Sequence, residues 1–141
     1  MIIYSIPKKL NCIIFDIDST LYTHEIYAKE QIDVQIKEFA NLMQMSLKDA
    51  HEAIDTFKEE HLRVHGKKLS LANTLEYFGI PISESIRWRE NLIEPARFLS
   101  KDKKLIDCLQ KLAKKFRLAA LTNNPIIPGK KNLEALGVQD F

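Results

Sequence analysis

The chain has 141 residues, of which 45% are hydrophobic and 28% are charged, and its formal net charge is +2. This length and composition are typical of a globular protein with one core, or of a small domain that contains an inserted one. The small charge, without a basic arm, argues against a nucleic-acid partner, and no apolar run approaches the length of a membrane span. We therefore expect a cytoplasmic protein that binds neither nucleic acid nor membrane.

A short apolar segment near the start of the chain ends in two carboxylates. Residues 13–15, Ile-Ile-Phe, are too few for a helix and predict a strand buried on both faces. Asp16 and Asp18 follow at its carboxyl end, where ligands bind in open α/β sheets, and alternate residues of an extended chain point the same way. A cation such as Mg²⁺ would relieve their repulsion and pair with a substrate phosphate. The alternative is a turn in which Asp18 or Ser19 only caps the next segment.

The stretch from about Thr23 to Arg97 has helical periodicity and no strand pattern. Four helices are predicted there. Their start and stop signals are a capping box formed by Ser46 and Asp49, then Gly66, Ser70, Gly79, Ser83 and Pro95. The block therefore predicts a helical domain inserted into the chain.

An α/β pattern resumes after this block. Asp102 precedes a helix, and residues 118–121, Leu-Ala-Ala-Leu, predict a second short strand that ends in polar turn residues. A last helix is predicted to start at Pro128 and Gly129 and to stop at Gly137. The two cysteines, Cys12 and Cys108, lie in apolar segments, so we expect buried thiols and no disulfide.

Two motifs together resemble those of a known superfamily. Residues 15–22, Phe-Asp-Ile-Asp-Ser-Thr-Leu-Tyr, resemble the first signature motif of the haloacid-dehalogenase-like (HAD) superfamily of aspartate-nucleophile phosphatases. Leu121-Thr122-Asn123-Asn124 resembles the second, a hydrophobic strand that ends in Thr or Ser. The resemblance implies an α/β fold with a HAD-like Rossmannoid parallel sheet core over residues 1–22 and 98–141, and a helical cap over residues 23–97.

Within that superfamily the chain looks most like the pyrimidine 5′-nucleotidase-type members. The segments that carry this narrower resemblance are Leu21-Tyr22, His65-Gly66 and Leu99-Ser100-Lys101-Asp102. It implies a Mg²⁺-dependent phosphatase of small phosphomonoesters, with nucleoside 5′-monophosphates as one candidate substrate class.

The resemblance also implies roles for particular residues. Asp16 would be the nucleophile that forms an aspartyl-phosphate, and Asp18 would act as general acid and then as general base. Mg²⁺ would be held by a carboxylate oxygen of Asp16 and the main-chain carbonyl of Asp18. Thr122 would donate its hydroxyl to a phosphoryl oxygen, with the Asn123 amide nearby. From its residue type alone, Thr122 is better explained as a plain strand-end hydroxyl.

The chain departs from the superfamily pattern after the second motif. A Lys that neutralises the nucleophile and an acidic pair that completes the metal site are expected there. Lys130 and Lys131 lie too close to Thr122, and Asp140 is a lone acid. We therefore expect the front part of such an enzyme, with a truncated core whose open sheet edge would suit a homodimer. A catalytically silent interaction module with the same fold is the alternative.

Overall fold

The computed structural model describes residues 9–141, so most of the predicted lead-in segment, residues 1–11, lies outside the described residues. In chain order the elements are β1 (Cys12–Asp16), α1 (Glu25–Leu42), α2 (Leu47–His65), α3 (Leu71–Tyr77), α4 (Ile82–Leu92), a 3₁₀ helix (Pro95–Arg97), α5 (Lys103–Ala113), β2 (Arg117–Leu121) and α6 (Ile126–Leu136). Across these described elements, no helix has the length and apolar character needed to cross a membrane.

The chain divides into two compact units. One ends at His24 and resumes over Pro95–Phe141, and the other is Glu25–Glu94. The first unit holds both strands with α5 and α6, and the second holds α1 to α4. The structure is therefore of the mixed α/β class, with a two-stranded parallel sheet in the first unit and helices in the second.

The helices of the second unit begin and end where local hydrogen bonds favour it. Ser46 Oγ accepts from the Asp49 N–H at 3.1 Å, which confirms Ser46 as the N-cap of α2. The Asp49 carboxylate accepts from the Ser46 hydroxyl at 2.7 Å, whereas in a capping box it would accept from the Ser46 backbone N–H. Ser70 caps α3, and Gly66 ends α2 at a φ of 64°, both as predicted. The helix expected from Ser83 begins one residue earlier, at Ile82. The core of this unit consists of Ile36, Phe39, Ala40, Ala50, Ile54, Leu75, Ile80 and Trp88.

The two strands of the first unit pair in parallel, from Cys12 opposite Arg117 to Asp16 opposite Leu121. One face of this sheet contacts helices: a small cavity of about 30 Å³ is lined by side chains from both strands, α5 and α6. The other face is open, with Ile14 63% and Leu121 69% exposed. The prediction of a strand buried on both faces is therefore wrong, because in residues 9–141 the helices cover one face of the sheet.

The prediction of buried thiols is also wrong, since Cys12 and Cys108 are both exposed. Cys12 lies two residues from Ile14 and shares its open face. Cys108 is on α5, whose buried residue is its neighbour Leu109. An apolar segment therefore does not bury every apolar residue in it. Whether a residue is buried depends on the face of the strand or helix on which its side chain lies.

Of the two helices that flank β2, α5 starts where the sequence predicts and α6 starts earlier. The Asp102 carboxylate accepts from the Lys104 N–H at 2.8 Å, which confirms the start of α5. The last helix begins at Ile126, two residues before the predicted Pro128, because a proline in the first turn has no intrahelical N–H bond to lose. Gly137 ends α6 at a φ of 74°, as predicted.

Candidate active site

A tight turn follows β1 and reverses the chain beside its last residues. The Leu21 N–H donates to the Ile17 carbonyl at 2.9 Å, and Ile17 is buried. Ser19 has a φ of 60°, in the left-handed region that residues other than glycine adopt uncommonly. As a result, Tyr22 comes back alongside Asp18, with which it forms an isolated β-bridge.

The Asp18 carboxylate is the most heavily hydrogen-bonded group of this turn. The Tyr22 hydroxyl donates to its Oδ1 and the Asn124 side-chain amide donates to its Oδ2. The Thr122 hydroxyl lies 3.4 Å from the same Oδ2. Donors from both strand ends thus meet on the two oxygens of one carboxylate.

Thr122 reaches Asp18 because the two strands are parallel and in register. Asp16 pairs with Leu121, so the residues that follow each strand emerge at the same edge of the sheet. The Asn124 N–H donates to Thr122 Oγ1 at 3.0 Å, which fixes the turn after β2. The structure thus brings together Asp18 and Thr122, two residues that the sequence predicted for one site.

The other two predicted site residues are exposed. Asp16 is the last residue of β1, with its carboxylate accessible at the strand end. Asn123 is exposed as well, and the amide that contacts Asp18 is that of the next residue, Asn124. The structure therefore leaves Asp16 and Asn123 open to a ligand and uses Asn124 for the internal contact.

Tyr22 and Asn132 have no role predicted from the sequence, yet both support the site. Asn132 on α6 is 0% exposed, and its Nδ2 donates to the Tyr22 hydroxyl at 3.2 Å. A signal for Asn132 existed in the helical period, because it lies three residues after Gly129 and four before Leu136, which are both buried. The helical period identifies the buried face of α6, but it does not identify the residue that Asn132 contacts.

The carboxylate oxygens of Asp16 and Asp18 are ligands of the kind that a hard cation such as Mg²⁺ takes. Within the part of the chain that is described, no three His, Cys, Asp or Glu side chains come together as a metal-binding group. Mg²⁺ commonly keeps several waters and takes one or two carboxylates together with substrate phosphate. The exposed carboxylate of Asp16, two residues from Asp18, fits that pattern.

A comparison with known protein families gives no match, and a search of curated proteins finds no similar sequence. The residues of this site and their contacts are therefore what supports a function for this chain.

Proposed function

We propose that the chain carries the nucleophile and the acid–base group of a Mg²⁺-dependent, HAD-type phosphatase. The observation that supports this most directly is the contact between Thr122 and Asp18, whose oxygens lie 3.4 Å apart. It joins the two sequence motifs that the proposal needs, one at the end of each strand. In this proposal the first unit is a HAD-like core and the second unit, Glu25–Glu94, is its helical cap.

The first half-reaction uses the exposed carboxylate of Asp16. Its oxygen attacks the phosphorus of a phosphomonoester, a new P–O bond forms, and the bond to the leaving oxygen breaks. Asp18 supplies the proton that converts the leaving alkoxide to an alcohol. On substrate binding, the Thr122 hydroxyl turns from Asp18 Oδ2 to donate to a phosphoryl oxygen, and the exposed Asn123 amide donates to another.

The second half-reaction returns both carboxyl groups to their starting state. Asp18 takes a proton from water, which attacks the phosphorus of the aspartyl-phosphate and releases inorganic phosphate and the Asp16 carboxylate. Two of the three partners of Asp18 are the hydroxyls of Tyr22 and Thr122. Because a hydroxyl can accept as well as donate, these partners can hold Asp18 whether or not it carries the proton.

Mg²⁺ would be held by the Asp16 carboxylate and the main-chain carbonyl of Asp18. When bound, it would offset the negative charge of the phosphoryl oxygens. The substrate class that we propose is a small phosphomonoester, with nucleoside 5′-monophosphates as the first compounds to test.

The proposal is tested by phosphate release from a panel of phosphomonoesters, with and without Mg²⁺. We expect Mg²⁺-dependent release that Asp16→Asn abolishes, since an amide is a poor nucleophile and a poor cation ligand. Asp107→Asn, an exposed carboxylate on α5, is the matched control and should leave the release unchanged. Turnover that survives Asp16→Asn would contradict the assignment of the nucleophile.

A catalytically silent interaction module is the second candidate, and the open face of the sheet favours it. Ile14 and Leu121 are more than half exposed there, together with Cys12 and Ala119. Exposed apolar residues on a sheet that has two strands within residues 9–141 suit pairing with a second copy of the chain. This candidate predicts no phosphate release and a dimer by light scattering that Ile14→Lys dissociates. A monomer at all concentrations would rule it out.

A further inference from the structure

Both oxygens of the Asp18 carboxylate are held by different parts of the fold. Oδ1 accepts from Tyr22, in the turn after β1, and Oδ2 accepts from Asn124 and Thr122, after β2. With both oxygens engaged from two sides, rotation about the side-chain bonds would break at least one hydrogen bond. Asp18 is therefore held in one orientation at the end of the sheet.

The Tyr22 hydroxyl also accepts a hydrogen bond from a residue of α6. The buried amide of Asn132 donates to it at 3.2 Å. Because Asn132 is buried, water cannot replace this partner, so the bond fixes where the hydroxyl lies. Asn132, Tyr22 and Asp18 thus form a chain of hydrogen bonds that runs from the buried face of α6 to the site.

Helix α6 also supports the second anchor of Asp18. A β-carbon placed on Gly129 would lie 3.4 Å from the Thr122 methyl and 3.8 Å from Ile17 Cδ1, so the helix backbone packs directly against both residues. Gly129 and Asn132 are one turn apart on the same helix face. The same helix therefore fixes Thr122 through packing and Tyr22 through a hydrogen bond.

We propose that Tyr22 is a positioning residue that holds the Asp18 carboxylate in a single side-chain orientation, with Asn132 as its buried support. The catalytic meaning of this role, the alignment of Asp18 with a leaving group, rests on the proposed phosphatase function. The structural part, one orientation of Asp18 set by the Tyr22 hydroxyl, does not.

The test measures the orientation of Asp18 in solution. Three-bond couplings from Asp18 Cγ to its own amide nitrogen and carbonyl carbon report the χ1 rotamer by NMR. We expect the values of one rotamer in the unsubstituted protein and averaged values in Tyr22→Phe, which removes only the hydroxyl. Asn132→Ala should give partial averaging. Tyr77→Phe, which removes an exposed hydroxyl in the helical unit, is the control and should change nothing.

The outcomes separate this role from a general effect on folding. A folded Tyr22→Phe protein that keeps a single Asp18 rotamer overturns the proposal. If Tyr22→Phe does not fold, the unsubstituted protein still decides, because averaged couplings there overturn the proposal and Asn132→Ala supplies the variant.

The outcomes also separate this role from the proposed reaction. If the protein releases phosphate, we expect Tyr22→Phe to lower kcat about 10- to 100-fold with KM unchanged, because a misplaced acid–base group slows the chemistry and not binding. If no substrate is turned over but Tyr22→Phe frees Asp18, the phosphatase proposal fails and the positioning role stands. If phosphate is released but the Asp18 rotamer is unchanged in Tyr22→Phe, the positioning role fails and the phosphatase proposal stands.

Discussion

The hydroxyl of Thr122 lies 3.4 Å from the carboxylate of Asp18, although the two residues are 104 positions apart in the sequence. The whole helical unit lies between them along the chain. They meet because β1 and β2 run parallel with Asp16 opposite Leu121, so both strands end at the same edge. Strand direction and register alone thus place side chains from distant segments in one site.

This relationship predicts the effect of removing the Thr122 hydroxyl. Thr122→Val keeps the shape of the side chain but removes a donor to Asp18 and the acceptor of the Asn124 N–H, which is 3.0 Å away. We expect the free energy of unfolding to fall by about 1–3 kcal/mol, measured by urea denaturation. Thr122→Ser should restore most of it, and Thr56→Val, at an exposed position of α2, should be nearly neutral. Equal stability of Thr122→Val and the unsubstituted protein would contradict the role of this hydroxyl.

The exposed cysteines give a prediction that needs no substrate. Cys12 and Cys108 are both accessible, so both thiols should react with an aromatic disulfide reagent in the folded protein. We expect the same number of reactive thiols before and after denaturation in urea, and one fewer in either Cys12→Ser or Cys108→Ser. A thiol that reacts only in urea would show that its face of the protein is covered in solution.

The helix boundaries show what the sequence could predict. Ser46, Gly66 and Asp102 mark helix ends correctly because the hydrogen bonds that decide these ends are made within a few residues. The start of α6 was predicted two residues late, since Pro128 is compatible with several positions of a first turn. Burial on the sheet was predicted wrongly, as Ile14 shows, because burial depends on what covers a face and not on the strand's own residues.

The contacts of the candidate site also divide into those that the sequence predicts and those that it does not. The convergence of Asp18 and Thr122 was predictable, since each follows an apolar strand and parallel strands bring their ends together. The role of Asn132 was not, because its partner Tyr22 is 110 positions away and an amide on a buried helix face has many alternative partners. For the same reason the contact between the Asn124 side-chain amide and Asp18 could not be predicted from the sequence.

The two glycines that end helices α2 and α6 provide a matched pair. Gly137 and Gly66 have φ values of 74° and 64°, so alanine at either position bears the left-handed penalty of about 1–2 kcal/mol. A β-carbon on Gly137 would also lie 3.1 Å from Lys101 Cγ and 3.3 Å from Ile106 Cδ1, whereas one on Gly66 meets nothing within 4 Å. We therefore expect Gly137→Ala to lower the thermal midpoint more than Gly66→Ala. Equal losses would show that the neighbours of Gly137 move aside at no cost.

A buried polar pair in the helical unit gives the last prediction. Ser85 Oγ donates to Gln35 Oε1 at 2.7 Å, and both side chains are buried between α1 and α4. Ser85→Ala removes the donor and leaves a buried carbonyl oxygen without it, so we expect a loss of about 1–3 kcal/mol in unfolding free energy. The exposed Ser83→Ala on the same helix is the control and should change the stability little.

A double-mutant cycle separates that hydrogen bond from the other effects of each substitution. Gln35→Met removes the acceptor and keeps the length of the side chain, although it also removes the bond from Gln35 Nε2 to the Gln31 carbonyl at 2.6 Å. With Met at position 35, no oxygen is left unpaired by Ser85→Ala, so that substitution should then cost less than it does alone. The difference is the coupling between the two side chains. Additive losses would mean that the pair contributes nothing beyond its packing.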